Sequence, residues 1–375
     1  MKVFIIGSIA SMMINFRKEL ILELVKEHEV FCLCSDYDDE SRAVIAKLGA
    51  TAIDYSLNSK GLNPIKDLFA FIGLCKILKY YKPDVVFCFF VKPVIYGAIA
   101  SKFSKIKRVV GMIEGLGNAF VVHKNGVNFK TKLIKYVQVI LYKISLPLLD
   151  ALVFLNKDDK NDLINAYGIK TKQIYILGGI GVDLTKFSYQ IAPIKSVSFI
   201  FLARLLAEKG IFEYIQAAKA VKEKYKYVKF YVLGSFDENN PFSIKQDEMA
   251  RYVAAGAIEF IGFVKNVKEH MSNSSVFVLP SYYREGVPRS TQEAMAIGRA
   301  VITTNSVGCK ETVEDGVNGF LVPPHDSKIL AEKMIYFIQN PDKIVQMGTE
   351  SRKIAKEKFD VYKQNQKLIK IIFNE

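Results

Sequence analysis

The chain is short of the features that announce several common activities. Its four histidines, His28, His123, His270 and His325, have no metal-ligand spacing to one another, so no metal site is expected. The five cysteines contain no Cys-x-x-Cys pair or zinc spacing. Cys32 and Cys34 alternate along one predicted strand, and Cys75, Cys88 and Cys309 lie scattered in apolar or loop surroundings, the pattern of buried, reduced thiols. Long apolar runs are also missing. The most hydrophobic stretches, 85–100 and 136–155, carry Lys92 and Lys143 and are broken by Pro93 and Pro147, which argues against a transmembrane helix. The N-terminus reads as a strand entering a turn, without the length or small-residue cleavage site of a signal peptide, and so predicts a cytoplasmic protein. That turn, Gly7-Ser8-Ile9-Ala10-Ser11-Met12, holds one glycine where a dinucleotide fold wants Gly-x-Gly-x-x-Gly. A nicotinamide or flavin cofactor is therefore not expected.

Acidic residues are the other shortage. The chain has 52 Lys and Arg against 38 Asp and Glu, a formal charge of +14. The excess is uneven. Between residues 101 and 150 lie Lys102, Lys105, Lys107, Arg108, Lys124, Lys130, Lys132, Lys135 and Lys143, opposed only by Glu114 and Asp150. Interleaved with Phe, Leu, Ile and Tyr, this segment reads as a basic amphipathic surface suited to anionic headgroups at the inner face of the cytoplasmic membrane. A solvated, lysine-rich surface with no partner is the plainer alternative. No nucleic-acid module accompanies the charge, so nucleic acid is not an expected partner.

What is present is length and alternation. A chain of 375 residues, half hydrophobic and about a quarter charged, suits two globular domains. Strand-like runs at 3–7, 29–35, 85–90, 108–113, 151–155 and 174–177 alternate with helical patterns such as 16–26, 42–48 and 65–80. A second series of strands begins at 197–203 and continues through 229–233, 257–260, 276–279 and 300–303. This is an α/β architecture of two Rossmann-like domains with parallel sheets. The expected division is 1–187 and 188–355, joined near 187–194, with a C-terminal helix at about 356–375 packing back on the first domain. A ligand site is expected in a deep cleft between them, where the carboxyl ends of both sheets face.

The most informative stretch is Pro280-Ser281-Tyr282-Tyr283-Arg284-Glu285-Gly286-Val287-Pro288-Arg289-Ser290-Thr291-Gln292-Glu293. A strand runs into a loop and then into a helix beginning near Pro288 and ending before Gly298, a residue suited to a left-handed C-cap. Backbone N–H groups at Gly286, Val287 and the helix start form a ready site for phosphate or sugar hydroxyls. Two carboxylates flank it, Glu285 on the loop and Glu293 in the helix. Their spacing, seven residues with Gly286-Val287-Pro288 between, resembles the retaining glycosyltransferases of family four, which have the GT-B fold.

That resemblance implies roles. Glu285 would approach the donor sugar and Glu293 the ribose hydroxyls. Gly286, Val287 and Pro288 would lie along the donor, with Ser290 and Thr291 near its phosphates. Arg204 and Lys209, at the end of 201–210, match the cations that neutralise the departing diphosphate. Such fixed cations replace the metal used by other transferases, and no metal is expected here. Gly234 resembles the family's strand-end glycine beside the nucleotide, and Phe263 and Val264 the segment that meets the base. The turn at 178–183 and the stretches 305–311 and 315–322 also match, so the resemblance is densest over about 177–324.

In the first domain, Asn15-Phe16-Arg17 and Glu114-Gly115-Leu116-Gly117 resemble bacterial transferases that extend undecaprenyl-diphosphate-linked sugars. Asn15, Arg17, Gly117 and His123 become acceptor-binding candidates and Glu114 a catalytic one. Many related transferases place a histidine where Glu114 stands. A strand-end structural carboxylate, and a plain surface arginine at position 17, remain the alternatives. Asp36-Tyr37-Asp38 fits an Asp-x-Asp metal motif but reads as a solvated acidic loop. The implied reaction moves a sugar from a nucleotide-sugar, UDP-linked by expectation, to a lipid-diphosphate-linked glycan. A sugar-nucleotide epimerase of the same fold and a non-catalytic membrane-surface scaffold are the rivals. The sequence carries no signal for an oligomeric state.

Overall fold

A computed structural model describes residues 1–57, 64–121, 126, 129–238 and 240–375. The chain divides into two compact units, Met1–Ile180 with Val361–Glu375, and Gly181–Asp360. Each is built on one parallel sheet. In the first, β1 (Lys2–Ile6), β2 (Glu29–Cys34), β3 (Thr51–Asp54), β4 (Val85–Phe89), β5 (Arg108–Ile113), β6 (Ala151–Phe154) and β7 (Ile174–Ile176) lie in the order β3-β2-β1-β4-β5-β6-β7. In the second, β8 (Ser198–Leu202), β9 (Lys229–Leu233), β10 (Glu259–Gly262), β11 (Val276–Leu279), β12 (Ala300–Thr304) and β13 (Gly319–Val322) lie in the order β10-β9-β8-β11-β12-β13. The central strands are apolar along their whole length, as parallel strands covered on both faces must be. Both orders reverse direction once, between β1 and β4 and between β8 and β11. Ligands of open parallel sheets gather at the strand carboxyl ends beside such a reversal.

The boundary between the units falls after Ile180 rather than at residue 187, for a physical reason. The Gly181 N–H donates to Gln292 Oε1 at 3.1 Å, and the Val182 N–H donates to the Phe359 carbonyl at 2.8 Å. The Gly-Val-Asp turn is thus tied into the second unit already. At the other end, helix Val361–Phe373 belongs to the first unit, where Arg108 donates to the carbonyls of Ile371 and Ile372 at 2.6 and 3.1 Å. These are the orphan carbonyls of a helix end, met by a guanidinium.

Three other differences from the sequence reading have local causes. Strands β3 and β13 are edge strands absent from that reading: β3 has two apolar residues between Thr51 and Asp54, and β13 opens on Gly319 directly after the turn residues Gly316 and Asn318. Strand β10 sits two residues later than 257–260. The first helix spans Ala10–Leu24 and starts six residues before position 16. Its first turn is capped from elsewhere: the Ala10 N–H donates to the Asp36 carboxylate at 2.6 Å. Two residues on, Asp38 caps helix Asp39–Lys47 in a reciprocal capping box with Ser41. The Asp-x-Asp pair is exposed, as a solvated loop would be, and its two carboxylates also cap two helix N-termini. Among the described residues no cluster of His, Cys, Asp and Glu could hold a metal, and no helix is long and apolar enough to cross a membrane.

Asp36→Ala should lower the thermal midpoint by a few degrees, because losing an N-terminal cap costs roughly 0.5–2 kcal/mol. Asp36→Asn, which can still accept the hydrogen bond, should recover most of it. Equal midpoints for wild type and Asp36→Ala in differential scanning calorimetry would remove the cap as a source of stability.

Candidate active site

The loop after β8 and the loop after β11 meet at the reversal of the second sheet. The Glu208 carbonyl accepts from the N–H groups of Tyr282 and Tyr283, each at 2.9 Å, and from the Ser281 hydroxyl at 3.1 Å. Gly210 permits this approach. It holds a left-handed φ of +82°, and a Cβ there would collide with the Pro280 carbonyl. Clamped in this way, Lys209 pairs with Glu285, and both side chains are 12% exposed. The Ser281 hydroxyl also donates to Glu285 Oε1 at 3.1 Å. The Lys209 ammonium stands 4.8 Å over the face of Tyr283, and Arg204, itself exposed, reaches the Tyr283 hydroxyl. Burial pushes the Tyr283 phenol up, while the Arg204 charge opposes it.

Glu285 is held from a third side. Gly308, at φ +79°, lies so near the carbonyls of Glu285 and Gly286 that a Cβ would not fit. Gly286, Val287 and Pro288 are buried in the turn, with Pro288 as the extended N-cap of helix Arg289–Ile297. Gln292 Nε2 donates to the Val287 carbonyl at 3.1 Å, fixing the turn from below. Ser290 is partly exposed and Thr291 fully buried. One turn into the helix, Arg289 Nε donates to Glu293 Oε1 at 3.2 Å. Burial pushes the Glu293 carboxyl up, with the Arg289 charge working against it. Gly234 follows β9 and donates to the Gly262 carbonyl at 3.0 Å. Phe263 and Val264 follow β10, with the Phe263 ring 73% exposed. All of these candidates lie at the carboxyl edge of one sheet.

The first unit presents its own set at the reversal between β1 and β4. Helix Ala10–Leu24 carries Asn15 outward and Arg17 inward. Arg17 is 2% exposed, so it is no plain surface arginine. It pairs with Glu114, the residue after β5, donates to the Phe16 carbonyl at 2.7 Å, and lies 4.4 Å over the Phe89 ring. Gly117 holds φ +71° two residues beyond Gly115. The lone glycine of the first turn, Gly7, serves packing, since a Cβ there would meet the Phe89 ring at 2.6 Å. Phe90 holds φ +71° directly after β4, a conformation costing a non-glycine residue about 1–3 kcal/mol and found mainly at working sites. His123 lies outside the described residues.

Comparison with known proteins agrees with this geometry. The family described as "Glycosyl transferases group 1" matches residues 187–354, and that described as "Glycosyl transferase 4-like" matches residues 6–146. The chain belongs to the glycosyltransferases. The N,N'-diacetylbacillosaminyl-diphospho-undecaprenol alpha-1,3-N-acetylgalactosaminyltransferase of Campylobacter jejuni is 28% identical over 340 residues, covering 87% of this chain and 86% of that one. The UDP-Gal:alpha-D-GlcNAc-diphosphoundecaprenol alpha-1,3-galactosyltransferase of Escherichia coli is 26% identical, covering 71% and 69%. Among solved structures, Anabaena Alr3699/HepE in complex with UDP has a TM-score of 0.76 at 18% identity, with both chains covered in full (100%). That likeness shows the fold, the two-sheet GT-B architecture.

For this glycosyltransferase the sequence pointed to the charged residues but not to what holds them. Ser281, Tyr283, Arg289 and Gln292 stand inside the motif that drew notice to Glu285 and Glu293. Their contacts run within the loop, from the helix back to its preceding turn, or between the two loops; only the i, i+4 spacing of Arg289 and Glu293 on one helix is a signal readable in advance.

The Arg17–Glu114 pair gives a stability test. Arg17→Met should cost roughly 3–5 kcal/mol in urea unfolding, because it leaves a buried carboxylate without its cation. Arg17→Met combined with Glu114→Leu should regain a large part. A double variant no more stable than the single one would show that the pairing is not the source of the loss.

Proposed function

We propose that this glycosyltransferase moves a hexose or N-acetylhexosamine from a UDP-sugar to a lipid-diphosphate-linked glycan, with retention at the anomeric carbon. It would serve the assembly of bacterial surface polysaccharide or glycoprotein glycan. The observation that carries the reading is the gathering of Arg204, Lys209 and Glu285 on two clamped loops, with Glu293 in the helix that follows, at the reversal of one sheet. The acceptor class is supported by the names of the Campylobacter and Escherichia relatives, both of which act on undecaprenyl-diphosphate-linked sugars. The UDP donor is supported by the name of the second and by the UDP held by the Anabaena structure.

In this reading the ribose hydroxyls donate to Glu293, and the uracil lies beside Phe263 and Val264, with Gly234 near by. The diphosphate sits at Gly286, Val287, Pro288 and the start of the following helix, with Ser290 and Thr291 at that end. The bond from the anomeric carbon to the diphosphate oxygen breaks, and charge builds on that oxygen. Arg204 and Lys209 take up the charge, the office a metal ion fills in other transferases, so no metal is required. The acceptor oxygen bonds to the anomeric carbon on the same face, and its proton passes to the departing phosphate. Glu285, carried beside Lys209, orients the sugar. Asn15, Arg17, Gly117 and His123 bind the acceptor, and Glu114 orients its hydroxyl. A polyprenyl-linked acceptor resides in a bilayer, so in this reading the enzyme works at the inner face of the cytoplasmic membrane, the side on which the nucleotide-sugar donor is found.

Calorimetry with UDP, GDP and ADP tests the donor site. Glu293→Ala should weaken UDP binding about five- to a hundredfold, the worth of roughly 1–3 kcal/mol for a buried hydrogen bond. An unchanged affinity would move the ribose site elsewhere.

The pH dependence has a definite sign. The ionised Glu293 carboxylate accepts from ribose, and burial raises its pKa. UDP affinity should therefore fall with decreasing pH from above the ordinary glutamate range, and Glu293→Gln should flatten that fall. A pH-independent wild type would count against the assignment.

Lys209→Ala and Arg204→Ala should each lower kcat by about two to three orders of magnitude, the usual worth of a group that stabilises transition-state charge. Retention of full turnover by both would remove them from the reaction.

A further inference from the structure

Three helices of the first unit, Pro64–Tyr81, Val91–Phe103 and Phe129–Ser145, stand side by side with the middle one recessed. The recess follows from composition. The middle helix turns Gly97, Ala98, Ala100 and Ser101 inward, and Gly97 lies so close to Cys88 of β4 that a Cβ would strike its sulfur. The outer helices therefore overhang it. Between them runs an apolar groove of about 470 Å³ with Leu68 and Phe71 on one wall, Val137 and Leu141 on the other, and Tyr96 and Ile99 on the floor. That volume lies within the range of small-ligand sites.

The rim of the groove is also apolar, and unusually so. Of the 24 large hydrophobic side chains exposed among the described residues, eleven lie on these three helices, Ile65, Phe69, Phe103, Phe129 and Tyr136 among them. An apolar patch of this kind on a soluble unit marks an interaction site. Its charge says what it meets. The three helices carry nine lysines and one acid, Asp67. Asp67 also lines the groove, but it is 4% exposed and pairs with Lys92 at 2.9 and 3.2 Å, so its charge is compensated there and little of it is presented outward. The rim is thus apolar side chains among cations, with Tyr80 and Tyr136 exposed on its outer helices. Lysine stems and tyrosines at the edge of an apolar face suit a bilayer interface, with hydrocarbon inside and anionic headgroups around it.

We propose that this face rests on an anionic bilayer and that its groove takes up one acyl chain of an anionic phospholipid from that bilayer. The inference deepens the lipid-linked acceptor reading and rests on it for its purpose. It reaches beyond the basic segment 101–150: the groove requires helix Pro64–Tyr81, and a chain seated in it fixes the protein's orientation as diffuse charge attraction would not.

Flotation of the full-length protein with phosphatidylglycerol vesicles and with phosphatidylcholine vesicles tests this, alongside Val137→Trp, which fills the groove. Wild type should float with the first vesicles and hardly with the second, and Val137→Trp should weaken binding at least tenfold with its thermal midpoint unchanged. Tryptophan at a membrane interface would otherwise strengthen adsorption, so the loss would report the groove. A photoactivatable diazirine on the acyl chain of phosphatidylglycerol should label the three helices of the wild-type protein, a result that needs no variant. Equal binding to both vesicle types, undiminished binding by a folded Val137→Trp, or labelling elsewhere would overturn the proposal. UDP affinity of the wild type, measured separately, bears only on the transferase reading.

Discussion

The candidate site in the second unit depends on one carbonyl oxygen. The Glu208 carbonyl gathers two backbone N–H groups and a hydroxyl from the loop after β11, and so binds that loop to the one after β8. Lys209 is the next residue along and Glu285 lies two beyond Tyr283, so the clamp sets the spacing of the cation and carboxylate before either attracts the other. Side-chain attraction alone would be a poor architect, since both groups must leave water to meet. Backbone hydrogen bonds and two glycines, Gly210 and Gly308, bring the chains within reach at positions where any side chain would hold them apart. Removal of those glycines would disturb the site without touching a charged residue.

This division of labour explains what could be read from the sequence. The central strands were legible because a strand buried on both faces is apolar throughout, and Val85–Phe89 or Val276–Leu279 offers no other reading. The edge strands Thr51–Asp54 and Gly319–Val322 were not, because the first is bounded by Thr and Asp around two apolar residues and the second opens on Gly319 directly after the turn residues Gly316 and Asn318. The start of helix Ala10–Leu24 was hidden for a different reason. Its cap comes from Asp36, 26 residues away, and N-cap signals in sequence are local. The same carboxylate mimicked half of a metal motif, which shows how little three residues say without their partners.

The candidate site was legible to a similar depth. Glu285 and Glu293 stand out because strand, loop and helix N-terminus follow in the order that anion binding uses. The spacing says nothing of Tyr283, whose ring faces Lys209 and whose hydroxyl meets Arg204, since that triangle closes only when two loops far apart in sequence are joined. Arg17 illustrates the converse. A lone arginine on an amphipathic helix looks like surface, and its burial follows from Phe89 at the end of β4 and Glu114 just after β5.

The two units place charge differently at equivalent points of their sheets, and the difference fits what each would bind. In the second unit Arg204 remains exposed, ready for a ligand that brings negative charge. In the first, Arg17 and Glu114 cancel each other as a buried pair, with Arg17 over the Phe89 ring. A neutralised pair offers hydrogen bonds without net attraction, which suits sugar hydroxyls better than phosphates. If the acceptor's glycan is read there, its diphosphate must be met by other cations of the first unit. The lysine-rich helices around the apolar groove are where those cations are concentrated. Recognition of sugar and recognition of lipid would then be separate tasks for separate surfaces, one polar and neutral, the other apolar and positive.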